Sequence, residues 1–281
     1  MSVPTAPATR ALVSPEWAKA HLDDRDIRFV EVDVDTTAYQ QAHLPGAVAW
    51  DWTTQLTDQV RRDLASREEI AKLLSASGVG PATRVVLYGD NNDWFAAWAY
   101  WQLKLFGWYR VSLLDGGRRY WLDHGYPITT DVPTYPETGI RLPERSSGLR
   151  AFRADILPRL GDPELALVDV RSPAEYTGEV IAPPGMSETA QRGGHIPGAA
   201  SIPWSLAVAD DGRFRAPDEL RELFRSKGIT PERDIVTYCR IGERSSHTWF
   251  VLHELLGYPR VRNYDGSWTE WGSMVGVPVE K

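Results

Sequence analysis

The sequence predicts an α/β protein of two tandem domains, each a mostly parallel sheet with helices on both faces. Short β-branched and aromatic runs alternate with longer runs whose apolar residues recur at helical spacing, which is typical of parallel sheets covered by helices. The first half returns in recognisable form in the second, and a stretch rich in proline, glycine and serine separates the two halves. We therefore expect a domain over residues 1–130, a linker over 131–150 and a second domain over 151–281.

The first half opens with a proline-rich segment that is followed by a predicted short helix. Ser14 fits the N-cap position of this helix and Pro15 fits its first position. The remaining elements predicted for this half are strands over 27–32 and 85–88 and helices over 66–74 and 93–106.

The second half repeats this order around a turn of sequence His-x-Pro-Gly-Ala, which occurs at 43–47 and again at 195–199. From the strand at 234–238 onward the two halves match without gaps at a constant offset of 150 residues. The helix predicted over 246–256 ends at Gly257, a residue type that is favoured just beyond helix ends. Two homologous domains follow from the repeat. Matching pairs include Tyr88 and Tyr238, Gly107 and Gly257, Asp115 and Asp265, Gly116 and Gly266, and Trp121 and Trp271.

The repeat separates scaffold from candidate chemistry, because a residue needed only for the fold should occur in both copies. His43 and His195 occupy the same turn, so we interpret His195 as a hydrogen-bonded scaffold residue. The Asp-Gly pairs at 115–116 and 265–266 indicate turn geometry for the same reason.

Three residues near the end of the strand at 234–238 are present only in the second copy. Cys239 lies opposite Gly89, Arg240 lies opposite Asp90, and Arg244 lies opposite Trp94. We therefore expect the second domain to be catalytic and the first to be an inactive copy.

Cys239 is the only cysteine of the chain and lies at a predicted turn between a strand and a helix. A free cysteine is mostly protonated at neutral pH, whereas the thiolate is the nucleophile. The N-terminus of the following helix favours an anion, and Arg240 and Arg244 add positive charge. The sequence thus predicts a stabilised thiolate; the alternative is a cysteine buried as a small apolar residue.

The second copy also carries an insertion over residues 177–194, between Tyr176 and His195. Added loops beside a site often carry specificity. Arg192 in this insertion is either an anion ligand or a solvated surface arginine.

Composition excludes several classes of function. The net charge is −7 and the basic residues are scattered, so no nucleic-acid footprint is visible. No apolar run approaches the length of a membrane span, and no Cys/His cluster has the spacing of a zinc site. We expect a cytoplasmic, monomeric protein that needs no metal or cofactor.

The motifs together resemble the tandem-domain rhodanese family of thiosulfate and 3-mercaptopyruvate sulfurtransferases. The resemblance rests on the two His-x-Pro-Gly-Ala turns, Leu-Leu-Asp-Gly-Gly at 113–117, Cys-Arg-x-Gly at 239–242 and Tyr-Asp-Gly-Ser-Trp-x-Glu-Trp at 264–271, and it covers nearly the whole chain. It implies an active site walled on one side by an inactive N-terminal copy.

The resemblance also implies roles for residues of the second domain. Cys239 matches the nucleophile that takes the outer sulfur of thiosulfate and passes it, as a persulfide, to a thiophilic acceptor such as cyanide or a thiol. Arg240 matches a loop cation, Arg192 is similar to an arginine that contacts the substrate anion, and Trp268 would line the pocket. Arg244 is a further candidate for binding the substrate anion.

Two loop positions depart from the family pattern. Mercaptopyruvate-type members carry a hydroxyl two residues after the cysteine, where this chain has Ile241, so thiosulfate is the expected donor. Glu243, next to Gly242 in the loop, is awkward in an anion site and must point to solvent or pair with an arginine.

Other classes remain as alternatives to a thiosulfate sulfurtransferase. A 3-mercaptopyruvate sulfurtransferase and a sulfur-relay module fed by a protein donor would share most of these residues. A phosphatase with a strand-Cys-loop-helix site needs an arginine six residues after the cysteine, where this chain has Ser245.

Overall fold

The computed structural model describes residues 11–144, 147–183, 185 and 189–281. Residues 1–10 of the predicted first domain, residues 145 and 146 of the predicted linker, and residues 184 and 186–188 of the predicted insertion lie outside the described residues. The chain forms two compact units that divide between residues 146 and 147, with Asp211–Arg213 grouped with the first unit.

The first unit is built on a parallel sheet of five strands in the order β1-β7-β6-β2-β3. A small antiparallel pair, β4 and β5, lies outside this sheet. Its strands are β1 (Leu12–Val13), β2 (Ile27–Asp33), β3 (Val48–Asp51), β4 (Thr57–Asp58), β5 (Asp63–Leu64), β6 (Arg84–Tyr88) and β7 (Val111–Leu114). Its helices are α1 (Pro15–Ala20), α2 (Thr37–Gln41), α3 (Trp52–Gln55), α4 (Arg67–Ala76), α5 (Trp94–Leu105) and α6 (Gly117–Asp123), with a 3₁₀ turn at Asn91–Asp93.

The second unit repeats the arrangement with four parallel strands in the order β11-β10-β8-β9. Its strands are β8 (Leu165–Asp169), β9 (Ala200–Ser201), β10 (Asp234–Tyr238) and β11 (Val261–Asn263). Its helices are α7 (Arg153–Ile156), α8 (Pro173–Thr177), α9 (Pro217–Arg225), α10 (Glu243–Phe250) and α11 (Ser267–Trp271). A π-helical turn at Val251–Leu255 extends α10, and 3₁₀ turns occupy Ser147–Leu149, Leu157–Arg159 and Trp204–Ala207.

The predicted elements of the first unit are present with small shifts of their ends. Ser14 caps α1 by accepting a hydrogen bond from the Trp17 amide at 3.2 Å. Ser66 and Glu69 form a reciprocal capping box at the start of α4, which fixes its first turn. These caps are local, which explains why the sequence predicts them.

The repeat is also visible in the hydrogen bonds that hold each sheet to its neighbouring turn. The Tyr88 hydroxyl accepts from the Leu44 amide at 3.2 Å, and the Tyr238 hydroxyl accepts from the Ile196 amide at 3.1 Å. In both units this tyrosine ends the central strand and is buried. The residues that the two copies have in common therefore occupy equivalent positions in two separate cores.

Part of the predicted linker packs against the first unit. The Tyr135 hydroxyl donates to the Gly46 carbonyl at 2.7 Å, and the Thr138 amide donates to the Ser75 hydroxyl at 3.1 Å. Polar contacts with the turn at 43–47 and with α4 thus hold the segment after residue 131 against this unit.

Candidate active site

Cys239 follows β10 directly and is separated from α10 by a short turn. Gly242, the last residue before the helix, has φ of +107°, a conformation that strongly favours glycine. The helix therefore begins at Glu243, earlier than the predicted start at residue 246, and Glu243 and Arg244 belong to its first turn.

The Cys239 sulfur is buried and lies between an amide and a carboxylate. The Gly242 amide donates a hydrogen bond to Sγ at 3.1 Å, and the Cys239 thiol donates one to Oε2 of Glu243 at 3.2 Å. Burial raises the pKa of the Cys239 thiol, the Glu243 charge raises it further, and Arg244 and the Ser245 amide oppose the rise. The expected stabilised thiolate is therefore wrong for this state, because burial and one carboxylate outweigh the cation and the amides.

Glu243 is buried at 1% exposure, so it does not point to solvent. Its Oε1 lies 3.5 Å from Nε of Arg244 and 3.8 Å from Nη2 of Arg240. Of the two positions that the sequence left open for Glu243, the structure shows the one beside the arginines.

Arg244 is held by Glu175, a residue of α8 that the sequence did not single out. Its Nη1 and Nη2 donate to the two carboxylate oxygens of Glu175 at 2.9 and 3.0 Å, and both side chains are buried. Although burial alone lowers the pKa of Arg244, the hydrogen bonds to Glu175 and the charge of Glu243 raise it above its usual range. Arg244 thus supplies fixed positive charge near the sulfur, while its terminal nitrogens serve the ion pair.

The structure places Arg192 among backbone carbonyls. Its guanidinium donates to Gly272, Val277, Trp271 and Met274 at 2.8 to 3.1 Å. It therefore fastens the segment that follows α11, and the structure does not bring its charge into contact with Cys239.

Trp268 contacts the loop that follows Cys239 through its backbone and the insertion through its side chain. Its amide donates to the Cys239 carbonyl at 3.1 Å, and its indole Nε1 donates to the Arg192 carbonyl at 2.9 Å. The ring is 1% exposed and carries the Arg171 guanidinium 4.5 Å from its centroid. Arg171 is itself paired with Asp169 at 2.6 Å.

Sequence reasoning missed Ser267, whose hydroxyl accepts from the Cys239 amide at 3.0 Å and donates to the Tyr264 carbonyl at 2.7 Å. Ser267 has φ of +51°, which is uncommon for a residue other than glycine. The repeat contains a signal for it, since the matching Gly117 also has a positive φ of +56°.

The matching turn of the first unit lacks room for a thiol. A Cβ at Gly89 would lie 2.5 Å from the Val32 carbonyl oxygen. Asp93 takes the place of Glu243 and accepts from the Gly89 amide at 2.8 Å. The backbone therefore closes over the position that Cys239 occupies in the second unit.

Two further observations concern the residues that the structure describes. None of their helices is long and apolar enough to cross a membrane. They contain no cluster of three or more His, Cys, Asp and Glu side chains that could hold a metal ion.

Comparison with known proteins identifies the family. The family profile for the rhodanese-like domain matches residues 14–124 and 153–274. The chain is 52% identical to a Haloferax volcanii protein named "Putative thiosulfate sulfurtransferase", over 98% of this chain and 97% of that protein. It is 51% identical to "Sulfur carrier protein TtuD" of Thermus thermophilus, over 96% of each chain.

Solved structures agree with this relationship. Wild-type EanB matches with a TM-score of 0.83 and 28% identity, covering 99% of this chain and 71% of that one. YnjE matches with a TM-score of 0.83 and 26% identity, covering 98% of this chain and 69% of that one. With its two matched domains and its cysteine loop, the chain belongs to the rhodanese family and is a sulfurtransferase.

Proposed function

We propose that this protein is a thiosulfate sulfurtransferase that carries sulfur on Cys239 to a thiophilic acceptor, cyanide or a thiol. The main support for this proposal is the position of the sulfur. Sγ accepts a hydrogen bond from the Gly242 amide at 3.1 Å, beside the first turn of the helix that contains Arg244. Helix N-termini and loop amides stabilise anions at such a position.

The first half-reaction forms a persulfide. Sγ, once deprotonated, attacks the outer sulfur of thiosulfate, a new S–S bond forms, and the bond to the sulfonyl sulfur breaks so that its electron pair leaves with sulfite. The product is an anionic persulfide on Cys239. In the second half-reaction the acceptor attacks the outer sulfur, and Sγ leaves as the thiolate.

The choice of thiosulfate over mercaptopyruvate rests on Arg240 and Ile241. A compact dianion needs positive charge, which Arg240 and Arg244 supply, whereas a keto acid also needs neutral donors. Ile241 offers no hydroxyl at the position where mercaptopyruvate-type members carry one. We therefore expect thiosulfate to be the better donor by kcat/KM.

A sulfur-relay role is the second candidate, because a relative of 51% identity is named a sulfur carrier. The same loop would then accept sulfur from a protein persulfide. Turnover with thiosulfate and cyanide, compared with transfer from a protein persulfide donor, separates the two functions.

We further propose that the protein acts as a monomer in the cytoplasm. The single cysteine of the chain is a free thiol, which suits a reducing compartment. Light scattering and cell fractionation test the two parts of this proposal.

The test of the reaction is a mass measurement after treatment with thiosulfate in the absence of an acceptor. The expected result is a gain of one sulfur by the wild type and none by Cys239→Ala, followed by its loss when cyanide is added. A wild type that gains no sulfur would refute thiosulfate as the donor.

A further inference from the structure

The contact between Cys239 and Glu243 implies that the two groups share one proton. Their atoms Sγ and Oε2 lie 3.2 Å apart, and the two side chains are 0% and 1% exposed. Since a carboxylate can only accept, the contact is a hydrogen bond only when one proton lies between the sulfur and the carboxyl group.

The surroundings can hold either arrangement of that proton. Oε1 of Glu243 accepts no hydrogen bond within the described part of the chain, but Nε of Arg244 is 3.5 Å away and Nη2 of Arg240 is 3.8 Å away. With the proton on sulfur, the arginines face a carboxylate. With the proton on Glu243, the same arginines face a thiolate.

Among the residues that the structure describes, the polar groups of the other elements packed around the loop have partners other than the sulfur. Ser267 presents a hydroxyl that is already engaged with the Cys239 amide and the Tyr264 carbonyl. Three buried carboxylates near the loop are paired with arginines: Glu175 with Arg244, Asp169 with Arg171, and Asp265 with Arg150. Glu270 of α11 accepts from the Tyr264 hydroxyl at 2.7 Å, and Asp234 at the start of β10 pairs with Arg159 and Arg260.

We propose that Glu243 is the proton partner of Cys239, so that one shared proton rests on the sulfur between turnovers and moves to Glu243 when the sulfur attacks its donor. This inference rests on the proposed sulfur transfer. It makes Glu243 a catalytic residue, because its carboxylate touches the reacting sulfur.

The proton balance of the cycle is closed. The S–H bond of Cys239 breaks as the O–H bond of Glu243 forms, and the thiolate then displaces sulfite from thiosulfate. The carboxyl group keeps the proton while the anionic persulfide exists. When the acceptor removes the outer sulfur and releases the Cys239 thiolate, Glu243 returns the proton.

A shared proton makes a distinctive kinetic prediction. A nearby carboxylate disfavours the thiolate at neutral pH, but the pair holding one proton keeps a constant fraction of thiolate over a range of pH. A lone thiol instead loses thiolate about tenfold for each pH unit below its own ionisation.

The test compares wild type with Glu243→Gln, which keeps the shape of the side chain but cannot exchange the proton. Thiolate is titrated by its ultraviolet absorbance, with Cys239→Ala as the blank, and sulfur loading from thiosulfate is followed in single turnovers from pH 5 to 9. Asp93→Asn is the matched control, because it makes the same change at the equivalent position of the copy that has no thiol.

We expect Glu243→Gln to form thiolate at a pH lower by about one unit or more than wild type. Its loading rate should exceed that of wild type near neutral pH and then fall about tenfold per pH unit on acidification. The wild-type rate should stay level, so the two profiles cross. Asp93→Asn should retain the wild-type profile.

Parallel profiles, or a Glu243→Gln rate below wild type at every pH, would overturn the shared proton. If Glu243→Gln does not fold, the test uses Glu243→Asp, which introduces the residue that the first unit has at this position. Its loading rate should keep a pH range in which it stays level, and the pH midpoint of its thiol ionisation should be lower than that of wild type. An unchanged midpoint would contradict the proposal. If wild type itself takes no sulfur from thiosulfate, the proposed donor fails, while the absorbance titration still tests the proton partner.

Discussion

The Cys239 sulfur is acted on by groups of opposite effect. The Gly242 amide and the Arg244 charge favour the anion, whereas burial and Glu243 favour the thiol. A resting thiol is compatible with sulfur transfer, since the donor brings its own charge and the product persulfide is itself an anion. Between turnovers, a neutral thiol reacts more slowly with oxidants and other electrophiles than a thiolate would.

Arg240 is the residue through which the choice of donor can be tested. Arg240→Ala should lower kcat/KM for thiosulfate by about tenfold to a hundredfold, or ~1.5–3 kcal/mol, the range for a hydrogen bond to a charged group. Steady-state kinetics with thiosulfate and mercaptopyruvate on both proteins provide the measurement. A preference of the wild type for mercaptopyruvate, or unchanged thiosulfate turnover in the variant, would show that charge does not select the donor.

At the scale of elements, the buried pair between Arg244 and Glu175 ties α10 to α8. Because removing one member leaves the other charged and buried, Arg244→Ala should lower the free energy of unfolding by about 3–5 kcal/mol. Arg225→Ala, which breaks an exposed pair with Glu222 on α9, is the control and should change it by about 0.5 kcal/mol or less. Denaturant unfolding gives both values, and similar small losses would mean that the pair is not structural.

The two histidine turns are elements of the same kind. His43 stacks on Tyr39 at 3.8 Å and His195 stacks on Tyr176 at 3.6 Å, and in both the ring Nδ1 lies within hydrogen-bond distance of the carbonyl of the stacked tyrosine. Each also pairs its backbone with a later segment, His43 with Thr129 and His195 with Glu280.

His195→Ala should therefore lower stability by about 1–3 kcal/mol while activity per folded molecule changes little. His43→Ala in the other unit should behave in the same way, and thermal melting together with activity normalised to folded protein measures both. Normal melting with lost activity would instead make His195 a site residue.

At the scale of the whole molecule, two buried groups should give the units opposite responses to pH. Burial lowers the pKa of His247, which stacks on Phe214 at 4.7 Å in the second unit, to about 3. In the first unit, burial and the neighbouring Asp90 raise the pKa of Asp33 to about 8.

Acid should destabilise the second unit through His247. Between about pH 6.5 and about 3, His247 stays neutral in the folded state but takes up a proton in the unfolded chain. The free energy of unfolding therefore decreases as the pH is lowered, and the loss is about 2 kcal/mol at pH 5. His247→Phe, which keeps the stacking, should remove this loss in unfolding measurements at pH 7.5 and 5. An equal loss in the variant would assign it to other groups.

A rise in pH from the acid to the neutral range should destabilise the first unit through Asp33. Between about pH 4 and about 8 the folded state keeps a proton on Asp33 that the unfolded state has released, so stability falls as pH rises through this range and levels off above about pH 8. Asp33→Asn should remove this slope and so flatten the stability profile between about pH 4 and about 8. A profile identical to that of wild type would contradict a protonated Asp33.

The sequence by itself determined the repeated α/β fold and singled out Cys239 as the candidate nucleophile. Strand and helix periodicity, caps such as Ser14 and Ser66, and the residues that differ between the copies are local or aligned features, so they can be found without coordinates. The rhodanese resemblance followed from the same motifs, and the family comparison confirmed it.

Only the tertiary structure decided what each charged residue near Cys239 contacts. Arg244 meets Glu175 from another helix, and Arg192 meets carbonyls that lie many residues further along the chain. Neither contact has a signal in local sequence. The protonation of Cys239 was equally hidden, because it depends on burial and on the distance to Glu243, and these arise only when the separate elements pack together.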